Sequence, residues 1–479
     1  MNDVSRLCPL AAISTAPEDK CVTVSEIEVK SSCDIQECIL GHSMNADNDN
    51  LQITPENESP NLPGNTDLEE LPFVREIGEV NSETTGETEE SQTDKVTDNV
   101  KLEPLEEEFI ESPVPVSCDW SCTPTLLCSA LEEYKPTDLC ENFTKGCHWS
   151  PDGTCFLVPS EDFRIRIYDL PKELYNGNVS KDLSLSDLKP AVTVKEGGLV
   201  YDTCWFPYMS SWDPVTCCFL STSRESPVHL WDAFTGNIRA TYRAYNLVDE
   251  VEAAISTRFI NYGKEVWCGF RGALRMFDTD RPGRQTHTIF LKKDFPNVTG
   301  LVSCIRENPC MPGLVAFGTY SKCIGLYKDS PICAFKPSNG VTQIEFSPCG
   351  MKLYSAVRRS NEVLCWDLRN PGVILWSLRG RCSDTNQRIQ LAISSNGSEI
   401  VSGGTDGVVK VWKLVETSDT YEEDLNPRFD IKLSEDCVNG IDLHRTLPIL
   451  LTTTGQRVCD LEDKPRDNSV RLWWFSSLS

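Results

Sequence analysis

Val341–Arg369 reads VTQIEFSPCGMKLYSAVRRSNEVLCWDLR. Apolar and polar residues alternate through VTQIEF, break at Ser347–Gly350, resume in KLYSAV and alternate again in EVLCWDL. A period of two places alternate side chains on opposite faces of an extended strand. Pro348 and Gly350 suit the tight turn between the first two strands. This stretch is therefore three antiparallel strands, the third closing on Trp366.

The pattern repeats along the chain. The closing segments are RIRIYDL (Tyr168), VHLWDAF (Trp231), ALRMFDT (Phe277), CIGLYKD (Tyr327), VLCWDLR (Trp366), VVKVWKL (Trp412) and VRLWWF (Trp473). Their separations are 63, 46, 50, 39, 46 and 61 residues. Strand, turn, strand, turn and a third strand ending on Trp-Asp or its equivalent is the WD-repeat blade. The expected fold class is all-β: a seven-bladed WD-repeat β-propeller over 116–479, preceded by a long disordered acidic N-terminal tail over 1–115. Only six residues follow Trp473, too few for a fourth strand. The closing strand of the last blade is expected within 118–134, because an open ring would leave a strand edge unpaired. The two long separations predict insertions, Pro171–Lys195 after the first blade and Gly455–Asp467 within the last. An Asp six positions before the closing aromatic tightens the turn between second and third strands, and Asp162, Asp406 and Asp467 hold that place.

A net charge of −27 argues against a nucleic-acid partner until it is divided. Residues 1–115 carry 27 acidic and 6 basic side chains, a balance of −21. The remaining 364 residues carry 45 and 39, a balance of −6. The first segment has no Trp, no Tyr and only two Phe, so it cannot bury enough apolar surface to offset its ordering entropy. Two apolar clusters in it, Leu71–Val74 and Leu105–Ile110, are either docking motifs or mere spacing. Ser59, Ser91 and Ser112 are candidate phosphorylation sites. On electrostatic grounds the tail is expected to compete with non-specific RNA for the propeller.

No stretch approaches the roughly 18 apolar residues of a membrane span, and no signal peptide is legible, so no membrane partner is expected. The 23 cysteines are irregularly spaced without a C-x2-C pair, and His is scarce at five. They read as reduced, mostly buried thiols, with metal or redox chemistry the lesser alternative. No cofactor is expected. No nucleophile elbow, phosphate loop or H-E-x-x-H motif is present, so no catalytic residue is assigned and the chain is not expected to be an enzyme.

The turns between second and third strands are unusually basic. Arg224, Arg271, Lys322, Arg358 with Arg359, and Arg466 lie in or beside them, and Arg388 leads into the sixth unit. In a propeller these turns emerge on one face. They form either a basic crescent suited to phosphate contact and base stacking, or solvated turn residues paired with neighbours such as Glu225 and Glu362.

Several stretches outside the generic repeat resemble the telomerase Cajal body protein family. They are ENFTKGCHWSPDG (Glu141–Gly153), RIYDLPKELY (Arg166–Tyr175), SRESPVHLWDAFTG (Ser223–Gly236), TYRAYN (Thr241–Asn246), RPGR (Arg281–Arg284), VLCWDLR (Val363–Arg369), TNQRI (Thr385–Ile389) and TGQRV (Thr454–Val458). The resemblance implies a non-enzymatic scaffold that recognises the CAB box of small Cajal body RNAs and telomerase RNA. It implies delivery of those particles to Cajal bodies, support of telomerase at telomeres, and a scaffold role in DNA repair. Implied partners are H/ACA ribonucleoprotein including dyskerin, telomerase reverse transcriptase through the RNA, coilin, the survival motor neuron complex and the cytosolic chaperonin. Implied locations are the nucleus, its Cajal bodies and telomeres, and the cytoplasm. The chain departs from the family in a shorter final insertion and C-terminal tail. A protein-only WD adaptor, such as a ubiquitin-ligase substrate receptor, is the alternative.

Overall fold

The computed structural model describes residues 118–475 apart from 138–139, 178, 180–184, 415–422 and 458–465. The acidic tail and Ser59, Ser91 and Ser112 lie outside the described residues. The strands build a seven-bladed propeller, as the seven closures predicted. Each blade is an antiparallel sheet whose first strand is innermost.

Blade 1 comprises His148–Trp149, Cys155–Pro159, Arg164–Asp169 and Val192–Lys195. Blade 2 comprises Val200–Trp205, Cys218–Ser223, Val228–Asp232 and Ile238–Tyr242. A short hairpin, Ala244–Tyr245 with Val251–Glu252, leads to blade 3: Ser256–Ile260, Glu265–Phe270, Ala273–Asp278 and His287–Phe290. Blade 4 is Val302–Glu307, Val315–Thr319, Cys323–Lys328 and Ser330–Phe335. Blade 5 is Val341–Phe346, Lys352–Val357, Val363–Asp367 and Val373–Leu378, and Glu423–Leu425 adds a parallel fifth strand at its edge. Blade 6 is Leu391–Ile393, Glu399–Ser402, Val408–Lys413 and Phe429–Lys432. Blade 7 takes Val438–Leu443, Ile449–Thr454 and Val470–Trp474 from the end of the chain. Its outermost strand is Thr125–Ala130, antiparallel to Val470–Trp474.

One expectation is corrected. The first insertion does not follow blade 1. It lies inside it, between Arg164–Asp169 and the outer strand Val192–Lys195. Pro171 and the 3₁₀ turn Lys172–Leu174 send the chain away from the sheet before it returns. The alternation in Val192–Lys195 is too short to stand out in sequence.

The core is divided among the gaps between blades. Among the described residues, seven apolar clusters each mix side chains from two neighbouring blades. Tyr168, Trp231, Phe277, Trp366 and Trp412 are buried, while Tyr327 and Trp473 are half-buried. Full burial of one large apolar side chain is worth about 1.5–3 kcal/mol, so the closing aromatics are major anchors. Their polar atoms are satisfied locally: Trp366 Nε1 donates to Ser355 Oγ at 2.8 Å and Trp473 Nε1 to Thr452 Oγ1 at 2.9 Å. Trp231 Nε1 donates to Ser221 Oγ at 2.7 Å beside the buried Glu196, which also accepts from Ser223 Oγ at 2.8 Å. Tyr168 pairs its hydroxyl with that of Tyr134 at 2.9 Å, tying blade 1 to the segment after the closing strand.

The turn aspartates act within their own blades. Asp162 accepts from Ser160 Oγ at 2.5 Å and pairs with Arg166 at 2.7 Å. Asp467 accepts from Arg471 Nη2 at 2.8 Å and from Ser434 Oγ at 2.7 Å. Asp406 Oδ1 accepts from the Val408 amide at 3.1 Å. Although burial works to raise the Asp162 carboxyl, the hydrogen bonds from Arg166, Ser160 and Arg164 hold it down at about 2.

Candidate nucleic-acid interface

The turns between second and third strands share one face of the ring. Each is tied by backbone hydrogen bonds to a segment entering an inner strand. Arg224 N donates to Leu199 O at 2.9 Å, Gly272 N to Gly300 O at 2.7 Å and Arg358 N to Gly340 O at 2.8 Å. Thr405 N reaches Cys382 O at 2.9 Å and Gly455 N reaches Cys437 O at 2.8 Å. These bonds fix the backbone of the turns and leave the long side chains to point outward.

The seven basic residues differ in their commitments. Arg271, Lys322 and Arg359 are exposed, with no side-chain hydrogen bond or ion pair to the described residues. Lys322 and Arg359 sit at φ +61° and +48°, the left-handed region that non-glycine residues rarely occupy. Arg358 lays its guanidinium over the Tyr320 ring at 3.6 Å from the centroid, within cation–π range. Its buried Nε has no partner among the described residues. Arg224 pairs with Glu225 at 3.1 Å, an exposed contact of little energetic weight. Arg466 pairs with Glu141 at 3.1 Å. Arg388 stands apart: it reaches across the central channel to Asp202 Oδ1 at 3.2 Å and Ser303 O at 3.2 Å. It is part of the channel wall, linking blades 6, 2 and 4. Glu362 does not pair with the turn arginines; it accepts from Ser377 Oγ at 2.7 Å.

The structure adds residues that charge counting passed over. Tyr320 supplies an aromatic platform beside Lys322, with the segment GTYSKC as its only local signal. Tyr201 is half-buried, and burial raises its phenol while Arg224 and Tyr320 lie within electrostatic reach. Arg457 pairs with Glu161 at 2.7 Å across the blade 7–blade 1 gap. Trp205 and Tyr242 are buried in inter-blade clusters, whereas Tyr201 and Tyr245 are half-buried. Arginine beside tyrosine on one face is an arrangement that stacks on unpaired bases and contacts phosphates.

The opposite face is chemically different. The connection after the inner strand of blade 2 exposes Trp212 to 96%. Its backbone is rigid: Asp152 accepts from Ser211 N and Ser211 Oγ, both at 2.7 Å, and Arg239 donates to Pro214 O at 2.7 Å. Tyr208 stacks on Tyr262 at 6.2 Å, and Phe234 is exposed in the neighbouring turn.

The WD domain, G-beta repeat, matches residues 374–413. The chain is 42% identical over 348 residues to telomerase Cajal body protein 1 of Rattus norvegicus, covering 71% of this chain and 64% of the relative. It is 43% identical over 347 residues to the Mus musculus protein of the same name, covering 71% and 63%. It is 40% identical over 370 residues to that of Homo sapiens, covering 76% and 65%. The chain thus spans somewhat less than two thirds of the length of each of these relatives.

Proposed function

By its propeller this chain belongs with the telomerase Cajal body proteins, and from that premise we propose that it is a non-enzymatic RNA-binding scaffold of nuclear Cajal bodies. Its ligands are the CAB-box loops of small Cajal body RNAs and telomerase RNA, and its role is to carry those particles and support telomerase at telomeres. Partners on this reading are H/ACA ribonucleoprotein with dyskerin, telomerase reverse transcriptase held through the RNA, coilin, the survival motor neuron complex and, during folding, the cytosolic chaperonin. Cytoplasmic passage and a DNA-repair scaffold role belong to the same reading. The observation that carries it is the turn face, where Arg271, Lys322 and Arg359 lack acidic partners among the described residues and Arg358 stacks on Tyr320. A single-stranded loop can be bound there by phosphate contact and base stacking together.

Charge reversal of Arg224, Arg271, Arg358 and Arg359 to Glu tests it. CAB-box RNA should bind at least about tenfold more weakly, with a salt dependence shallower by about three in log–log slope. Unchanged affinity in a folded variant would reject the face. The competing reading, a protein-only adaptor, draws on the exposed Trp212 loop, since rigid aromatic anchors dominate protein interfaces. Crosslinking followed by recovery of small nuclear RNA, or of none, separates the two.

A further inference from the structure

The central channel, a cavity of about 400 Å3, is lined by inner-strand side chains of all seven blades. Its carboxylates are already supplied with donors. Asp202 accepts from Arg388 at 3.2 Å and from the Thr257 amide at 3.1 Å. Glu345 pairs with Arg306 at 2.7 Å and accepts from Gln343 at 3.1 Å. Glu307 accepts from the Asn261 and Gly313 amides at 2.9 and 2.8 Å, and Asp442 from the Trp149 and Leu443 amides at 2.8 and 2.9 Å.

The lining donors without such a match among the described residues are Trp149 Nε1, the exposed Arg445 and two more. Arg258, half-buried on the inner strand of blade 3, lines the cavity with no hydrogen-bond or ion-pair partner among the described residues. His148 of blade 1 is the other, and its tautomer follows from its neighbour. Gln390 Oε1 accepts from the Cys147 and Ile441 amides at 3.0 and 3.2 Å, which fixes the amide orientation. Gln390 Nε2 therefore donates to His148 Nε2, 3.2 Å away, and the imidazole proton sits on Nδ1. Burial, reinforced by Arg306 and Arg258, holds the ring neutral by pushing it down to about 4. Its Nδ1–H is then a neutral donor with no acceptor among the described residues.

We infer that the channel is a binding site for a small free oxyanion, phosphate or carboxylate, held by the Arg258 guanidinium and the His148 Nδ1–H. A guanidinium presents paired N–H groups that match a tetrahedral or planar oxyanion, and a narrow channel strengthens that attraction over its value in water. A polynucleotide is not the ligand of this site. On the turn face Arg388 crosses the channel to Asp202 and to the Ser303 carbonyl and bars a polymer from threading. The opposite mouth, flanked by Arg445 and the first-to-second-strand turns at Pro151, Pro309 and Pro348, admits a small ion.

The test is thermal unfolding of the full chain titrated with inorganic phosphate, and separately with citrate, at an ionic strength held constant with sodium chloride. The native chain should show a saturable rise in Tm with at least one of the two. Arg258→Gln should abolish the rise, Arg258→Lys should retain it at several-fold higher half-saturation, and the four-residue reversal on the turn face should leave it intact. No saturable rise over matched chloride with either anion would overturn the inference, as would a full rise in Arg258→Gln. Loss of the rise in the turn-face variant would place the anion on that face and equally overturn it. Should Arg258→Gln fail to fold, 31P line broadening of phosphate decides in its place: broadening by the native chain that His148→Phe relieves supports the site, and broadening that is absent from the native chain or unchanged in His148→Phe overturns it.

Discussion

At the scale of single residues, the channel holds two titrating groups with opposed effects. Burial pushes the Asp442 carboxyl up to about 7 from an ordinary 3.8. Between those values the folded chain keeps a proton that the unfolded chain has released. That contribution to stability is present at low pH and lost as pH rises through 7. His148 works the other way: at about 4 against an ordinary 6.5, it stays neutral in the fold while the unfolded chain takes up a proton. Its contribution is lost as pH falls from 6.5 towards 4. The two slopes cancel over the shared window. Asp442→Asn should therefore lose Tm on acidification from about pH 6.5 to 5 relative to the native chain, and His148→Gln should gain it. Parallel pH profiles of Tm for the two variants would contradict this assignment. Neither role was legible in the sequence, because a lone His and a lone Asp on separate blades acquire meaning only when ring closure brings their strands together.

At the scale of elements, the strand that seals the ring is Thr125–Ala130. It packs Leu127, Cys128 and Ala130 into the same apolar cluster as Val470 and Leu472, with Tyr134 close behind. Deleting residues 118–131 should abolish the cooperative unfolding transition of the whole propeller, since the last blade would keep a bare edge and an uncovered apolar face. A sharp transition at unchanged Tm after that deletion would contradict it. The strands themselves were legible wherever alternation ran for five or six residues, as in Val341–Phe346. The short outer strands were not: Val192–Lys195 has four residues, and Glu423–Leu425 joins blade 5 from a connection that leaves blade 6. Such pieces are selected by the neighbour they cover, and no local pattern records the neighbour.

At the scale of the whole molecule, the decisive quantity is how charge is partitioned. The face with unpaired arginines belongs to a segment of −6, whereas residues 1–115 contribute −21. A charge of that size repels an approaching polyanion whatever path the segment takes. Removing Met1–Pro115 should raise the association rate for non-specific RNA at low salt. The difference should fade by about 0.5 M salt, where screening acts within a few ångströms. Equal rates with and without the segment at low salt would reject the effect. The fold class was readable because seven closures repeat one pattern. The site was readable only as a run of basic turns. That Arg388 bridges blades while Arg359 stays open depends on distances around a ring, which spacing along a chain does not encode. The seal of that ring also has a consequence in time. About 340 residues separate Ala130 from its partner Val470. At roughly 5–20 residues per second of synthesis, the first strand waits about 20–70 s for the last. For that interval every nascent molecule carries an exposed edge and a half-covered apolar face, so its yield depends on what shields it before the final blade arrives.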